Sequence, residues 1–258
     1  MIGAIIGDIV GSRFEFNNTN RKDFKLFTKE CDFTDDTICT IAVADAILRD
    51  VPFKDSLLKW CRKYPDPMGA YGGGFSAWLQ AEDPRPYNSF GNGSAMRVSP
   101  CAFASQSYAE AMRLAYDSAA CTHNHAEGAI GAIATACIII ALRDYRYNAM
   151  TAKIEAESII TQFYGVDWCE HLPQPGVFDV TCQGCVPLAF KIIDESYYFE
   201  DAIRNAVAYG GDSDTLAAIV GGMAEAMWGV PDNFRAAALS YLPDEMKQVI
   251  HEFEKKYQ

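Results

Sequence analysis

Apolar residues recur at helical spacing along most of this 258-residue chain, and few segments alternate with period two, so the sequence leaves little room for a sheet. After Asp36 come Ile38, Ile41, Ala42 and Leu48. After Thr215, the residues Leu216, Ile219, Val220, Met223 and Met227 fall at i, i+3, i+4, i+7 and i+11, and Gly229-Val230-Pro231 then ends that helix. Ser107 and Glu110 form a capping box ahead of Met112, Ala115 and Tyr116. Residues 2–12 read as a helix with Gly3, Gly7 and Gly11 along one face. Each glycine costs a helix about 1 kcal/mol relative to alanine, so three in register point to the close approach of another backbone. The stretches Pro65 to Pro100 and Gly165 to Pro187 are broken by proline and glycine and read as irregular. Loops of that length in a compact domain are commonly functional. With no repeat, low-complexity segment or linker, the expectation is all-α: a single compact domain over residues 1–258.

Composition narrows what that domain meets. The formal charge of −12 is spread along the chain, which argues against electrostatic binding to nucleic acid or an anionic membrane. The most apolar run, Gly128 to Leu142, is shorter than the roughly 20 residues a bilayer core needs, and reads as a buried helix. Met1-Ile2-Gly3-Ala4 has no basic segment or cleavage pattern of a signal peptide. With nine scattered cysteines, reduced thiols and a cytoplasmic location are expected. Cys182 and Cys185 make a lone C-x-x-C; a zinc site would need two more ligands, and no second pair exists. No coiled-coil seam is present, so a monomer is expected.

Two acidic clusters, Thr34-Asp35-Asp36 and Asp212-Ser213-Asp214-Thr215, each stand before a small-residue, apolar helix. Threonine and aspartate there serve as N-caps and first-turn carboxylates. They are also the hard oxygen donors that suit Mg²⁺ or Mn²⁺. If the fold joins them, one acidic pocket can share a pair of metal ions. Asp8 and Glu15 lie seven apart and share a face if the first helix runs that far.

Two further motifs bear on ligand binding. Gly91-Asn92-Gly93-Ser94-Ala95-Met96-Arg97 reads as a glycine-rich loop entering a helix, where backbone amides can cradle phosphate. It lacks the third glycine of a dinucleotide fingerprint and the Gly-Lys-Ser/Thr of a P-loop. Thr122-His123-Asn124-His125 offers two of the chain's four histidines, to contact substrate or to orient a loop or, for His125, to be satisfied by backbone.

Taken together, these segments resemble the ADP-ribosylglycohydrolase family. The matching pieces are Gly7-Asp8-Ile9-Val10-Gly11 with Glu15, Phe33-Thr34-Asp35-Asp36-Thr37, Gly91 to Arg97, Thr122-His123 and Gly210-Gly211-Asp212-Ser213-Asp214-Thr215, in the family's order. The resemblance implies an all-α orthogonal helical domain with a two-metal cleft, usually magnesium or manganese. It carries Thr34, Asp35, Asp36, Asp212, Asp214 and Thr215 onto ligand positions, with Asp214 as the bridging carboxylate. Glu15 and Asp35 then belong to the catalytic set. Gly91, Asn92, Gly93, Ser94 and Met96 would hold the diphosphate and proximal ribose, His123 would line the cleft, and Tyr71, Gly72 and Gly73 would cover the distal ribose. Asp-Ser-Asp-Thr stands where many relatives carry Asp-Thr-Asp-Thr, and Tyr209 stands where an apolar residue is common. Residues 165–187 match no acceptor-recognition signature.

The implied activity is hydrolysis of the glycosidic bond between ADP-ribose and an acceptor, protein or small molecule, with ADP-ribose as product. Such cleavage passes through an oxocarbenium-like state and needs an activated water, which two metals can serve by fixing the ribose hydroxyls. Glu15 would protonate the leaving atom or take a proton from water. Two other readings share these residues: a metal-dependent phosphohydrolase of an ADP-ribose-like nucleotide, and a non-enzymatic ADP-ribose binder.

Overall fold

Glycine decides how the first helix packs. In the computed structural model, which describes residues 1–257, this helix, α1 (Ile2–Gly11), is wholly buried. It is followed by α2 (Asp35–Arg49), α3 (Phe53–Lys63), α4 (Gly73–Gln80), α5 (Gly93–Met96), α6 (Ser99–Ala104) and α7 (Tyr108–Ala120). The second half contains α8 (Ala126–Asp144), α9 (Ala149–Tyr164), α10 (Cys182–Glu195), α11 (Phe199–Tyr209), α12 (Ser213–Trp228), α13 (Asp232–Leu239) and α14 (Asp244–Tyr257). No sheet forms among the described residues; only two isolated bridges, Thr34 with Met68 and Gly91 with Thr181, link extended segments. The fold is all-α.

The partner that the glycine stripe makes room for is α12. A Cβ built on Gly3 would lie 2.2 Å from the Gly221 carbonyl oxygen, and one on Gly7 would lie 1.9 Å from that of Ala217. One on Gly11 would lie 2.5 Å from the Asp214 Cα. Backbone therefore touches backbone along the whole of α1, and the contact ends beside Asp214, at the start of α12. This packing sets Asp8 of α1 against the second acidic cluster.

Around this pair, α8 is the other central element. It spans 19 residues, longer than its apolar run, and is long and apolar enough to cross a membrane by length and composition. In the structure it packs against α7, α9, α10 and α12, with Ala132, Thr135, Ile138, Ile139 and Leu142 buried. One connected apolar cluster runs from Ile2 and Ile5 through Ile38, Ile41 and Ile139 to Phe253. Burying an isoleucine-sized side chain is worth about 1.5–3 kcal/mol, so this cluster supplies the force that holds the buried acids together.

Both stretches expected to be irregular contain helices. Within 65–100 lie α4, α5 and the start of α6; their few-residue lengths leave no room for a periodic pattern to show. Within 165–187, a short 3₁₀ turn covers Trp168–His171, and α10 begins at Cys182 with Pro187 inside it. A proline in the second turn removes one backbone donor and normally argues against helix. Here Val186, Leu188, Phe190 and Ile193 are buried around it, and their packing outweighs the lost bond.

Candidate metal centre and substrate cleft

Helix starts bring the two acidic clusters together. Thr34 caps α2, its hydroxyl accepting from the Asp36 amide at 3.2 Å. Such a cap is worth about 1 kcal/mol, and it leaves Asp35 and Asp36 in the first turn. The second cluster hangs from a turn in which Gly210 and Gly211 both have φ of +79°, a region that favours glycine. Asn18 clamps that turn: its Oδ1 accepts from the Gly211 amide at 2.7 Å and its Nδ2 donates to the Gly211 carbonyl at 3.0 Å. Asp212 then stands at the cap of α12 with Ser213 and Asp214 in its first turn, and Thr215 beside them reaches Asp36 of α2.

Asp8 ties the layers together. Its carboxylate accepts from the Thr34 amide at 3.0 Å, the Thr34 hydroxyl at 2.7 Å, the Thr37 amide at 3.1 Å and the Thr37 hydroxyl. With four donors on two oxygens, little accepting capacity is left. Asp8, Asp36 and Asp214 offer oxygens within 4.8 Å of one another. The saturated carboxylate of Asp8 makes it a positioning group for α2 rather than a primary ligand.

The remaining acids are under-satisfied. Asp36 Oδ2 accepts from Thr215 Oγ1 at 3.1 Å and lies 3.3 Å from Thr34 Oγ1, whose one proton goes to Asp8 at 2.7 Å, but Asp36 Oδ1 is buried with no partner. Asp214 Oδ1 and Glu15 Oε2 are likewise buried and partnerless. Glu15, Asp212 and Asp214 offer oxygens within 4.8 Å of one another, as do Asp8, Asp36 and Asp214. Buried polar atoms rarely go unpaired, and no lysine or arginine forms an ion pair with any of the six acids among the described residues.

Electrostatics point the same way. Burial, then the charges of Asp212 and Asp8, raises Glu15 to about 7. Burial raises Asp8 to about 6 against its hydrogen bonds to Thr37 and Thr34. Asp35, Asp36 and Asp214 are pushed well above the usual carboxylate range, first by burial and then by neighbouring acids. Asp212 is raised by burial, against a 2.6 Å hydrogen bond from Asn92 Nδ2. Like charges packed this closely cannot all ionise unaided. Hard cations would let them, and the all-oxygen donor set fits a hard divalent cation.

The centre opens onto a cleft of about 400 Å³, the size of a small-molecule site. Of the acids, Glu15, Asp35 and Asp212 line it with Thr215, while Thr34, Asp36 and Asp214 lie behind them. Gly91, Asn92, Gly93 and Met96 form another wall. Ser94 is turned away: its hydroxyl donates to the Gly128 carbonyl at 2.7 Å, and its side chain is fully buried. Tyr71 lines the cleft with its ring only, since its hydroxyl donates to the Tyr64 carbonyl at 2.8 Å. Gly72 and Gly73 also line the cleft, and a Cβ on either would meet nothing within 4 Å.

The C-x-x-C serves as the back of the glycine loop. Cys182 Sγ donates to the Gly91 carbonyl at 3.1 Å, and Asn92 Nδ2 meets Cys185 Sγ at 3.3 Å. The Asn92 amide bonds the Val180 carbonyl at 2.7 Å and the Cys182 amide bonds the Phe90 carbonyl at 3.0 Å. His123 lines the cleft, buried and held well below its ordinary pKa by burial and then by Arg97. His125 caps α8, accepting from the Glu127 amide at 3.2 Å.

Several residues that line the cleft or position its acids carried no role in the sequence reading. Asp8 and Arg97 sat inside recognised motifs, and an aspartate amid isoleucines was the available signal for Asp8. Asn18 gave none. At the mouth beside Glu15, exposed Phe16 and Phe178 stack with ring centroids 6.0 Å apart, contributed by two loops without periodic pattern.

The family model for ADP-ribosylglycohydrolase matches residues 1–258. A solved structure described as an ADP-ribosylglycohydrolase-related protein complex shares the fold at 21% sequence identity, with a TM-score of 0.68 over 100% of this chain and 96% of that one. No curated protein matches the chain.

Proposed function

Because the chain belongs to the ADP-ribosylglycohydrolase family, a hydrolase family, we propose that it cleaves the glycosidic bond between ADP-ribose and an acceptor and releases ADP-ribose. The observation that carries this reading is that three buried, partnerless carboxylate oxygens, Asp36 Oδ1, Asp214 Oδ1 and Glu15 Oε2, belong to two acidic triads that share Asp214, with Glu15 on the cleft wall and the other two behind it. Thr34, Asp35, Asp36, Asp212, Asp214 and Thr215 would hold two divalent cations, Mg²⁺ or Mn²⁺. Thr215 donates its proton to Asp36, which leaves its oxygen lone pairs free for a cation. Such cations supply Lewis-acid polarisation and orient the sugar's hydroxyls.

The chain's own groups do the rest. Asp8 holds the start of α2 in place through Thr34 and Thr37, so the ligand carboxylates are organised before substrate arrives. Glu15 lines the cleft beside these ligands, and in the cation-free protein burial, then the charges of Asp212 and Asp8, raise it to about 7. A carboxyl tuned there is suited either to give a proton to the leaving atom or to take one from water. Asn92 fixes Asp212, and the glycines beside it allow close backbone approach to a diphosphate. The products of one turnover are ADP-ribose and the free acceptor.

The test is turnover and Mn²⁺ binding in Asp35→Ala and Asp214→Ala. Removing one carboxylate from a shared site leaves the others unable to balance a dication. Both variants should lose turnover and bind Mn²⁺ more weakly, with melting temperature as the check on folding. Full activity in either folded variant contradicts the proposal.

A further inference from the structure

The cleft has one acidic wall and one wall of opposite character, and the second is organised by a fully buried arginine. Arg97 is 1% exposed, lines the cleft, and forms no ion pair among the described residues. Its Nε is buried with no partner, and its Nη2 donates to the Ser118 carbonyl and to Thr122 Oγ1, both at 2.8 Å. A guanidinium cannot give up its proton in a protein, so its charge is spent on neutral acceptors and on the cleft.

Thr122 Oγ1 is the junction. It accepts from Arg97, and it has one proton to give. Two acceptors are in range: His123 Nδ1 at 2.7 Å and the Ala119 carbonyl at 3.5 Å. The shorter contact is a full hydrogen bond and the longer is at the limit of one. A hydroxyl accepting from a cation is also a stronger donor. The proton therefore goes to His123 Nδ1. A neutral imidazole carries one N–H, and which nitrogen bears it is set by what the other accepts. Nδ1 accepts, so Nε2 carries the hydrogen. Nε2 sits over the glycine loop: a Cβ on Gly93 would lie 3.1 Å from it and one on Gly91 3.7 Å.

We infer that Arg97 and Thr122 are positioning residues that hold His123 as the Nε2–H tautomer, a fixed donor beside Gly91 and Gly93 for a phosphate oxygen of the ligand. The inference rests on the proposed function for the ligand's identity, and on the hydrogen-bond chain alone for the tautomer. It divides the cleft by charge: the anionic diphosphate meets His123, with the charge of Arg97 behind it, and the reacting ribose meets the carboxylates.

The tautomer is read directly by ¹⁵N-edited NMR of the histidine side chains in the ligand-free protein near pH 7. With four histidines in the chain, a His123→Gln sample assigns the resonance. The expected result is a pyridine-like Nδ1 and a pyrrole-like Nε2; the reverse pattern overturns the inference. Thr122→Val keeps the shape and removes the relay. It should weaken ADP-ribose binding about tenfold to a hundredfold, the worth of a hydrogen bond to a charged group, and leave Mn²⁺ affinity unchanged. Thr122→Ser should restore both tautomer and affinity. Undiminished ADP-ribose affinity in a folded Thr122→Val protein overturns the inference, and if that variant does not fold the wild-type spectrum still decides it. Failure of the wild-type protein to bind ADP-ribose would instead count against the proposed function.

Discussion

Replacing Gly7 with alanine puts a methyl group where α1 and α12 already touch. The new Cβ would lie 1.9 Å from the Ala217 carbonyl oxygen, 2.3 Å from its carbonyl carbon and 2.7 Å from the Ala218 nitrogen. All three are backbone atoms of a buried helix, so no side chain can rotate aside. Reaching ordinary contact at 3.4 Å requires the helices to part by about 1.5 Å at this level. Overpacking of this kind costs typically 1–3 kcal/mol, and the rigid backbone on both sides puts this case at about 3. Alanine returns about 1 kcal/mol of helix propensity. The net loss of about 2 kcal/mol lowers the melting temperature by roughly 4–8 °C in a chain of this size. The damage reaches the site, because Asp8 and Asp214 are carried by the two helices being separated. Gly7→Ala should therefore weaken Mn²⁺ binding as well, measured by titration calorimetry alongside thermal melting. Gly73→Ala, with nothing within 4 Å of the added methyl, is the stability control and should melt at or above the wild-type temperature. A Gly7→Ala protein with wild-type melting temperature and Mn²⁺ affinity would refute the backbone-contact argument.

Three further outcomes follow from the site. Glu15→Gln should lower turnover by about 10²–10⁴-fold, the usual worth of a general acid or base, while ADP-ribose affinity and melting temperature change little; near-normal turnover removes Glu15 from the mechanism. In the metal-free protein, Asp8 at about 6 and Glu15 at about 7 titrate above their unfolded values near 4. Their contribution to stability is therefore complete below about pH 4 and is lost as pH rises through 6 and 7. Because the ligand carboxylates Asp35, Asp36, Asp212 and Asp214 are raised as well and cations compete with their protons, the rise in melting temperature caused by Mn²⁺ should be small at pH 5 and large at pH 7.5; a rise that shrinks over this interval contradicts the assignment. Gly93→Val, whose side chain would crowd His123 Nε2, should weaken ADP-ribose binding far more than Mn²⁺ binding, and equal affinities would take the loop out of the site.

The helices with long buried faces, α2, α8 and α12, were legible because apolar spacing records a continuous interface. The small helices α4, α5 and α6 were not, since four to eight residues hold too few turns for a period, and their burial comes from distant partners. The acidic clusters were visible as local motifs, but their convergence depends on the glycine stripe of α1 against α12, and the stripe names no partner by itself. Asp8 illustrates the limit best. Sequence spacing paired it with Glu15, whereas the structure commits its carboxylate to Thr34 and Thr37 on another helix. Ser94 illustrates the reverse, a polar residue in a glycine loop whose hydroxyl turns inward to the Gly128 carbonyl. The loops bearing Phe16 and Phe178 have no regular pattern, so the stacked pair at the cleft mouth left no mark in the sequence.

The most direct test is to identify the products from a panel of defined ADP-ribosylated substrates, with arginine, serine, acetyl-ester, nucleobase and poly-ADP-ribose linkages. Each is incubated with the chelated protein before and after addition of Mg²⁺ or Mn²⁺, and the nucleotide products are separated by chromatography. The account predicts free ADP-ribose from at least one linkage, formed only when the divalent cation is present. AMP as the product would mean cleavage at the diphosphate, and ADP-ribose formed equally well in the presence of chelator would mean that the buried carboxylates of α2 and α12 hold no catalytic metal; either result contradicts the account.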